Sequence, residues 1–328
     1  LEPEQFVPLK KLQEQLEKGV SYSQLKMLRI APWPIFAQFI EQNAEAIALD
    51  ERLRLLDFLA PLRAQPLTEL NELDLAAYVG KHSSEHDVGV YDFDVEWFAS
   101  TRSAKLFHQL LQDQRQDFEA ALANIPLEGE VTKADYLAFA NAFQSIFRRF
   151  AVANGTNDKP PLAAATRILA IRRPDQFVAL SNQKADLIVQ GLGTAKLSDF
   201  DAYWDELILT LRSLAWWRQA EPESESERRL WQYRAILLDV FLYADETSPL
   251  KSNYLKLKDR LVNRPARSPK TSTSRKRTKE TAEAIVDRKL AQPDMPEYLQ
   301  GKRESLIHEV KNGKSVDQAI QLFRAIFG

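Results

Sequence analysis

Apolar residues recur along most of this chain at intervals of three and four. In the stretch 5–16, Phe6, Leu9, Leu12 and Leu16 fall on one side of a helix. The same spacing predicts helices over Ile35 to Ile47, Glu51 to Leu62, Glu96 to Ile125, Lys133 to Val152, Phe200 to Leu214 and Glu227 to Tyr243. Caps support two of the starts: Thr132 precedes KADYLAFANAF and Ser198 precedes DFDAYWDELI, each hydroxyl placed to accept from a free amide of the first turn. Only Val88 to Asp94, VGVYDFD, alternates as a strand would, and one short strand makes no sheet. The expected class is all-α.

Breaks in the periodicity suggest the organisation. Ile125 to Val131, IPLEGEV, separates two helical blocks, Asn154 to Pro161 is a loop by its Gly, Asn and Pro, and Glu221 to Glu227 is a polar turn leading into a helix. After Leu261 the chain reads VNRPARSPKTSTSRKRTKE, too poor in apolar residues to bury the surface that folding requires. Beyond it, Thr281 to Ala291, Pro296 to Lys311 and Ser315 to Phe327 predict a helical tail with apolar positions at Leu306, Ile307, Val310, Ile320, Phe323 and Ile326. The expected architecture is two packed multi-helix domains, 1–125 and 126–262, a basic flexible linker, 263–280, and a small C-terminal helical appendage, 281–328. Three short helices bury little surface, so the tail is expected to dock on a protein partner or on the body.

With 328 residues, 45% hydrophobic and 27% charged, the chain is long enough for two cores. No apolar run approaches the roughly 20 residues that span a bilayer, and LEPEQFVPLKKLQEQLEKG holds no apolar core of the kind a secretory signal needs. A cytoplasmic protein without a membrane partner is therefore expected. The first residue is Leu1 rather than Met, which leaves room for a processed leader upstream. The absence of cysteine excludes disulfides, cysteine-ligated zinc, iron–sulfur clusters and thiol catalysis together.

Charge changes the picture more than composition does. Lys251 to Lys279 contains eleven Lys or Arg and one acid, Asp259, a charge of +10 in a chain whose total is −2, so the remainder carries −12. Such segregation points to a polyanion as partner for the basic stretch. Its candidate nucleic-acid contacts are Arg264, Arg267, Lys270, Arg275, Lys276, Arg277 and Lys279.

Candidate chemistry begins at His82-Ser-Ser-Glu85-His86. On a helix, H-x-x-E-H sets two imidazoles one turn apart with a carboxylate beside them, as a zinc-protease helix requires. Ser83, Ser84, Asp87 and Gly89 favour a loop instead, so no metal ligand and no cofactor are assigned. Asp87, Asp92, Asp94 and Glu96 suggest a divalent-metal nuclease centre, but such carboxylates are normally placed by a sheet; Asp94 reads better as a helix cap with an acidic first turn. Trp216 and Trp217 could stack on bases, yet Trp204, Trp216, Trp231 and Tyr233 recur among Leu and Ile at helical spacing, which is a core pattern. Arg148 and Arg149 suit the C-terminal end of their helix through its dipole.

The stretch Leu162 to Gly193, LAAATRILAIRRPDQFVALSNQKADLIVQGLG, reads as a helix stopped near Pro174, an extended turn with Phe177 to Leu180 inward, and a second helix from Ser181 or Asn182. Such a corner can offer turn amides and arginines to a phosphate, with Arg167, Arg172, Arg173 and Lys184 as candidates. It resembles the helix-hairpin-helix DNA glycosylases of the 8-oxoguanine type, which are all-α proteins that bind duplex DNA. The resemblance implies an Asp opening the second helix, where this chain has Asn182, whose amide is neither a general base nor a charge against a developing cation. No catalytic residue is therefore assigned. These features lead to the expectation of a DNA-binding, non-catalytic subunit, bound to duplex rather than single-stranded DNA, in a bacterial genome-maintenance, defence (antiviral) or mobile-element system. The alternatives are a base-excision-type glycosylase-like enzyme and a protein–protein adaptor that uses an acidic body and a basic arm.

Overall fold

A computed structural model describes residues 11, 19–20, 23–82, 91, 93–182, 184–242, 282–292, 295–311 and 316–327. The regular secondary structure of the described residues is entirely helical, with no strand among them. The chain divides into two compact units, Leu1–Arg264 and Pro265–Gly328. In the first unit, after a helical segment at 23–28, the helices are α1 (Trp33–Gln42), α2 (Leu49–Leu59), α3 (Glu72–Val79), α4 (Lys105–Asp113), α5 (Arg115–Leu122), α6 (Lys133–Asn154), α7 (Leu162–Arg172) and α8 (Ala185–Leu192). They are followed by α9, which begins at Phe200–Ala202, widens into a π-helical stretch at Tyr203–Ile208 and finishes at Leu209–Ser213. A single turn at Ala215–Arg218, α10 (Glu225–Gln232) and a 3-10 segment, Ile236–Leu242, complete it.

Local chemistry explains the best-defined start. Thr132 Oγ1 accepts from the Asp135 amide at 3.2 Å while Asp135 accepts from the Thr132 amide at 2.8 Å, a reciprocal cap that satisfies two otherwise orphaned donors of α6. Thr132→Ala is expected to lower Tm by about 2–4 °C, read by calorimetry. Helix α9 starts at Phe200 as expected, but its cap is the next residue along: Asp199, not Ser198, accepts from the Ala202 amide, and the Ser198 hydroxyl donates to Asp199.

One apolar cluster runs from Leu25 to Leu242. Along α6, Tyr136, Phe139, Phe143 and Phe147 are buried at helical spacing and meet Phe118, Phe200 and Trp204. Segments of the unit far apart in sequence close on each other. Trp33 packs edge-on against Trp231 with ring centroids 4.8 Å apart, Phe36 stacks on Trp216 at 4.7 Å and Phe39 on Phe241 at 4.5 Å. Trp204, Trp216, Trp231 and Tyr233 are all buried core residues.

Buried contacts of this kind cross 125/126, where the sequence suggested a domain boundary. Ile125 and Val131 are fully buried, and the segment between them is clamped to α7 and α9 by three arginines. Arg172 donates to the Ile125 carbonyl, Arg173 to that of Pro126 at 2.7 Å, and Arg212 to that of Val131 at 2.9 Å. IPLEGEV is thus an irregular segment inside one unit.

A second difference concerns the expected helix from Glu96 to Ile125, which is replaced by an irregular loop, then α4 and α5 with a break at Gln114. Phe98 and Ala99 take left-handed φ values of 63° and 68°, which no helix accepts. Of the strand-like Val88 to Asp94, only Tyr91, Phe93 and Asp94 are among the described residues, and they form no strand. The expected helix at 5–16 lies almost wholly outside the described residues.

The second unit contains α11 (Ala282–Leu290), a turn at Glu297–Gln300, α12 (Arg303–Lys311) and α13 (Val316–Phe327). They enclose a core of their own, with Val286, Leu290, Leu299, Leu306, Ile307, Ala319 and Ile320 buried and Val310 and Phe323 packed at its edge. Arg303 forms a two-pronged ion pair with Asp287 at 2.6 and 2.7 Å, joining α12 to α11. No helix among the described residues is long and apolar enough to cross a membrane.

Candidate functional site

The corner that suggested phosphate binding is formed as a helix, a turn and a helix, but its polar groups are engaged internally. Helix α7 is buried from Ala164 to Ile171, so it is a central helix without a solvent face. Phe177 to Leu180 run extended through the core, and side chains satisfy their backbone. The Val178 amide donates to the Tyr203 hydroxyl at 3.1 Å, that hydroxyl donates to the Val178 carbonyl at 2.7 Å, and the Leu180 amide donates to Thr166 Oγ1 at 3.0 Å. The amides of Lys184 and Ala185 donate to the Ser181 carbonyl at 2.9 and 3.0 Å. These four amides are therefore not presented to a ligand.

Arg167, expected to contact phosphate, is instead the hub of the core. Its side chain is fully buried, and Nε donates to the carbonyl of Tyr78 at 3.1 Å. Nη2 donates to Ala77 at 2.8 Å and Val95 at 3.1 Å, and Nη1 donates to Phe98 at 3.0 Å and to Trp97. Five carbonyls from the end of α3 and the irregular 95–98 loop thus meet one planar group that has five N–H donors. Burial pulls the guanidinium down to about 10, and the carboxylates of Asp239, Asp94 and Glu96 oppose that pull, so the group stays charged at neutral pH. A side chain at Gly80 would place its Cβ 3.1 Å from the Arg167 Cζ, and the backbone there has a φ of 73°, so glycine is required twice over.

Arg173 is likewise buried, paired with Asp175 through Nε at 2.8 Å and Nη2 at 2.9 Å besides its bond to Pro126. Burial alone would raise the Asp175 carboxyl, but the hydrogen bond and charge of Arg173 overcome it and hold it below the usual carboxylate range. Arg172 is half-buried against the carbonyls of Arg63 and Ile125. Lys184 is half-buried just before α8, and Asn182, at the position where the resemblance implies an Asp, is exposed in the turn. The corner therefore brings Arg167, Arg172 and Arg173 together in sequence but turns them inward, toward backbone carbonyls and, for Arg173, toward Asp175. Arg264, Arg267, Lys270, Arg275, Lys276, Arg277 and Lys279 lie outside the described residues.

A second cation is buried with a carboxylate. Arg52 Nη1 meets Asp239 Oδ2 at 2.9 Å with side chains 0% and 2% exposed, Nε donates to the Ile47 carbonyl at 2.8 Å, and the guanidinium lies over the rings of Trp97 and Phe98. Arg52 and Arg167 thus hold the same irregular loop, one by its rings and the other by its carbonyls.

That loop also builds a polar cluster which sequence spacing did not reveal. Asp94 Oδ1 accepts from the Glu96 amide at 2.8 Å, a tight Asx turn rather than the expected helix cap, and lies 2.7 Å from His82 Nε2. The Glu96 carboxylate accepts from the His82 amide at 3.3 Å. Donor atoms of His82, Asp94 and Glu96 all lie within 4.8 Å of one another, with both carboxylate residues buried and the imidazole half-buried. Burial pulls His82 down, but the hydrogen bond to Asp94 and the charges of Asp94 and Glu96 outweigh it and leave the imidazole above its ordinary value. Glu85, His86, Asp87 and Asp92, the other residues of the two metal-like patterns, lie outside the described residues.

His108 is chemically opposite. Its Nε2 lies 2.9 Å from the Thr101 carbonyl in a buried setting, and burial pushes it down to about 4, leaving it neutral at physiological pH. It lines a cavity of about 270 Å³ with Glu72, Lys81, Leu111 and Gln112. Comparison with models of known protein families, with curated proteins and with solved structures finds no match to this chain.

Proposed function

We propose that this chain is a DNA-binding, non-catalytic subunit that holds duplex DNA through its basic stretch from Lys251 to Lys279. The observation that carries the reading is the segregation of charge: +10 in that stretch against −12 elsewhere. Each Lys or Arg set against a phosphate releases condensed counterion, an entropic gain that needs no shaped site. The acidic remainder repels a polyanion and so confines it to the basic stretch.

The internal engagement of Arg167 and Arg173 supports this assignment from the other side, because it leaves the corner with few cations to contribute. Asn182 in place of an acid supports the absence of base-excision chemistry. Fluorescence anisotropy with a labelled duplex over a salt series tests the reading. The expected log–log slope is roughly −0.9 for each phosphate neutralised. No salt-sensitive binding, together with co-purification of a protein partner, would replace the reading with that of an adaptor.

A further inference from the structure

We propose that His82, Asp94 and Glu96 form a site for one divalent cation of the borderline class, such as Zn²⁺, independently of the DNA-binding reading. The three side chains supply one imidazole nitrogen and two carboxylates, with donor atoms no more than 4.8 Å apart. Ligand bonds of about 2.0–2.2 Å put donors on opposite sides of a single ion about 4.0–4.4 Å apart and adjacent donors closer still, so small side-chain adjustments close the set. A mixed nitrogen and oxygen set selects zinc and its neighbours over magnesium and calcium, which prefer oxygen alone. With three protein ligands, at least one coordination position is left for water.

Access and charge are compatible with a bound ion. The Asp94 side chain is 4% exposed and that of His82 is 20% exposed, so the carboxylate is sheltered while the imidazole edge reaches solvent. The ion replaces the proton between His82 Nε2 and Asp94, and that proton leaves to water. Arg167, which donates to the Val95 carbonyl at 3.1 Å, offsets part of the two carboxylate charges, and the charge of Arg102 acts on His82; the affinity is accordingly that of a supporting site, not of a tight zinc finger. In place, the ion ties residue 82, just beyond α3, to the 94–96 turn. It joins by coordination what Arg167 joins by hydrogen bonds.

Isothermal calorimetry of the chelator-treated full chain with Zn²⁺ tests the proposal, with Mg²⁺ as comparison and Co²⁺ absorption as a report on ligand number. The expected result is saturable binding of one Zn²⁺, a rise in Tm on its addition, and no comparable response to Mg²⁺. His82→Ala and Glu96→Gln should each weaken binding by at least about tenfold, a loss that even an outer hydrogen-bond partner of a ligand can produce. Glu96→Gln is isosteric, and an unchanged far-UV spectrum and apo Tm establish that it folds. Absence of saturable Zn²⁺ binding overturns the proposal, as does binding that persists unchanged in a folded Glu96→Gln protein.

Discussion

Arg167→Met is expected to destabilise the folded unit by about 3–5 kcal/mol, because several buried carbonyls are left without the charged donor that satisfies them. The carbonyls of Ala77, Tyr78, Val95, Trp97 and Phe98 lose their donor together. Each unsatisfied buried group costs about 1–3 kcal/mol, and relaxation of the loop toward water recovers part of the sum. Arg167→Lys should fall in the same direction, because an ammonium has three donors where five acceptors converge. Urea denaturation reads the effect as a shift in midpoint. Unchanged stability combined with lost DNA affinity would return Arg167 to the role of a phosphate ligand.

Asp239→Ala should have a comparable effect for a different reason. It leaves the Arg52 guanidinium charged in a place where both side chains are buried, which costs about 3–5 kcal/mol. Replacing both residues by apolar ones, Arg52→Met with Asp239→Leu, should recover much of that loss, since a buried ion pair repays little more than its own desolvation. Recovery stays incomplete because the Ile47 carbonyl loses the Arg52 Nε donor. A double-mutant cycle measured by denaturation gives the coupling, and strict additivity of the two single changes would contradict direct pairing.

The regular parts of this fold are legible in the sequence because their causes are local. Helix α6 follows from its apolar spacing and from Thr132 and Asp135 three residues apart, and the core positions of Trp204 and Trp231 follow from their neighbours. What escaped depends on partners distant in sequence. The 94–99 loop is irregular because Arg167, about 70 residues away, holds its carbonyls at an angle no helix allows. Arg167 itself carried a readable signal. It sits in ATRILAI, apolar on every side, and a helix without a polar face is a buried one, so an arginine within it must be paired inside. IPLEGEV looked like a boundary because its turn residues are visible while the arginines that clamp it lie at the end of α7 and on α9. The His82 cluster is divided in the sequence between two separate metal-like patterns, since its members are 12 and 14 positions apart and meet only through the loop.

If the cations of the folded unit serve its backbone while the basic stretch serves DNA, two sets of substitutions must separate cleanly. The direct measurement is duplex binding against salt for Arg275→Ala/Lys276→Ala/Arg277→Ala beside Arg172→Ala, with folding of each checked by its melting transition. The triple variant is predicted to bind more weakly and to flatten the log–log slope by up to roughly 2.7, about 0.9 for each phosphate no longer neutralised, while Arg172→Ala keeps the parent slope. A slope unchanged in the triple variant and flattened by Arg172→Ala would contradict the assignment and place the DNA-binding surface on the corner.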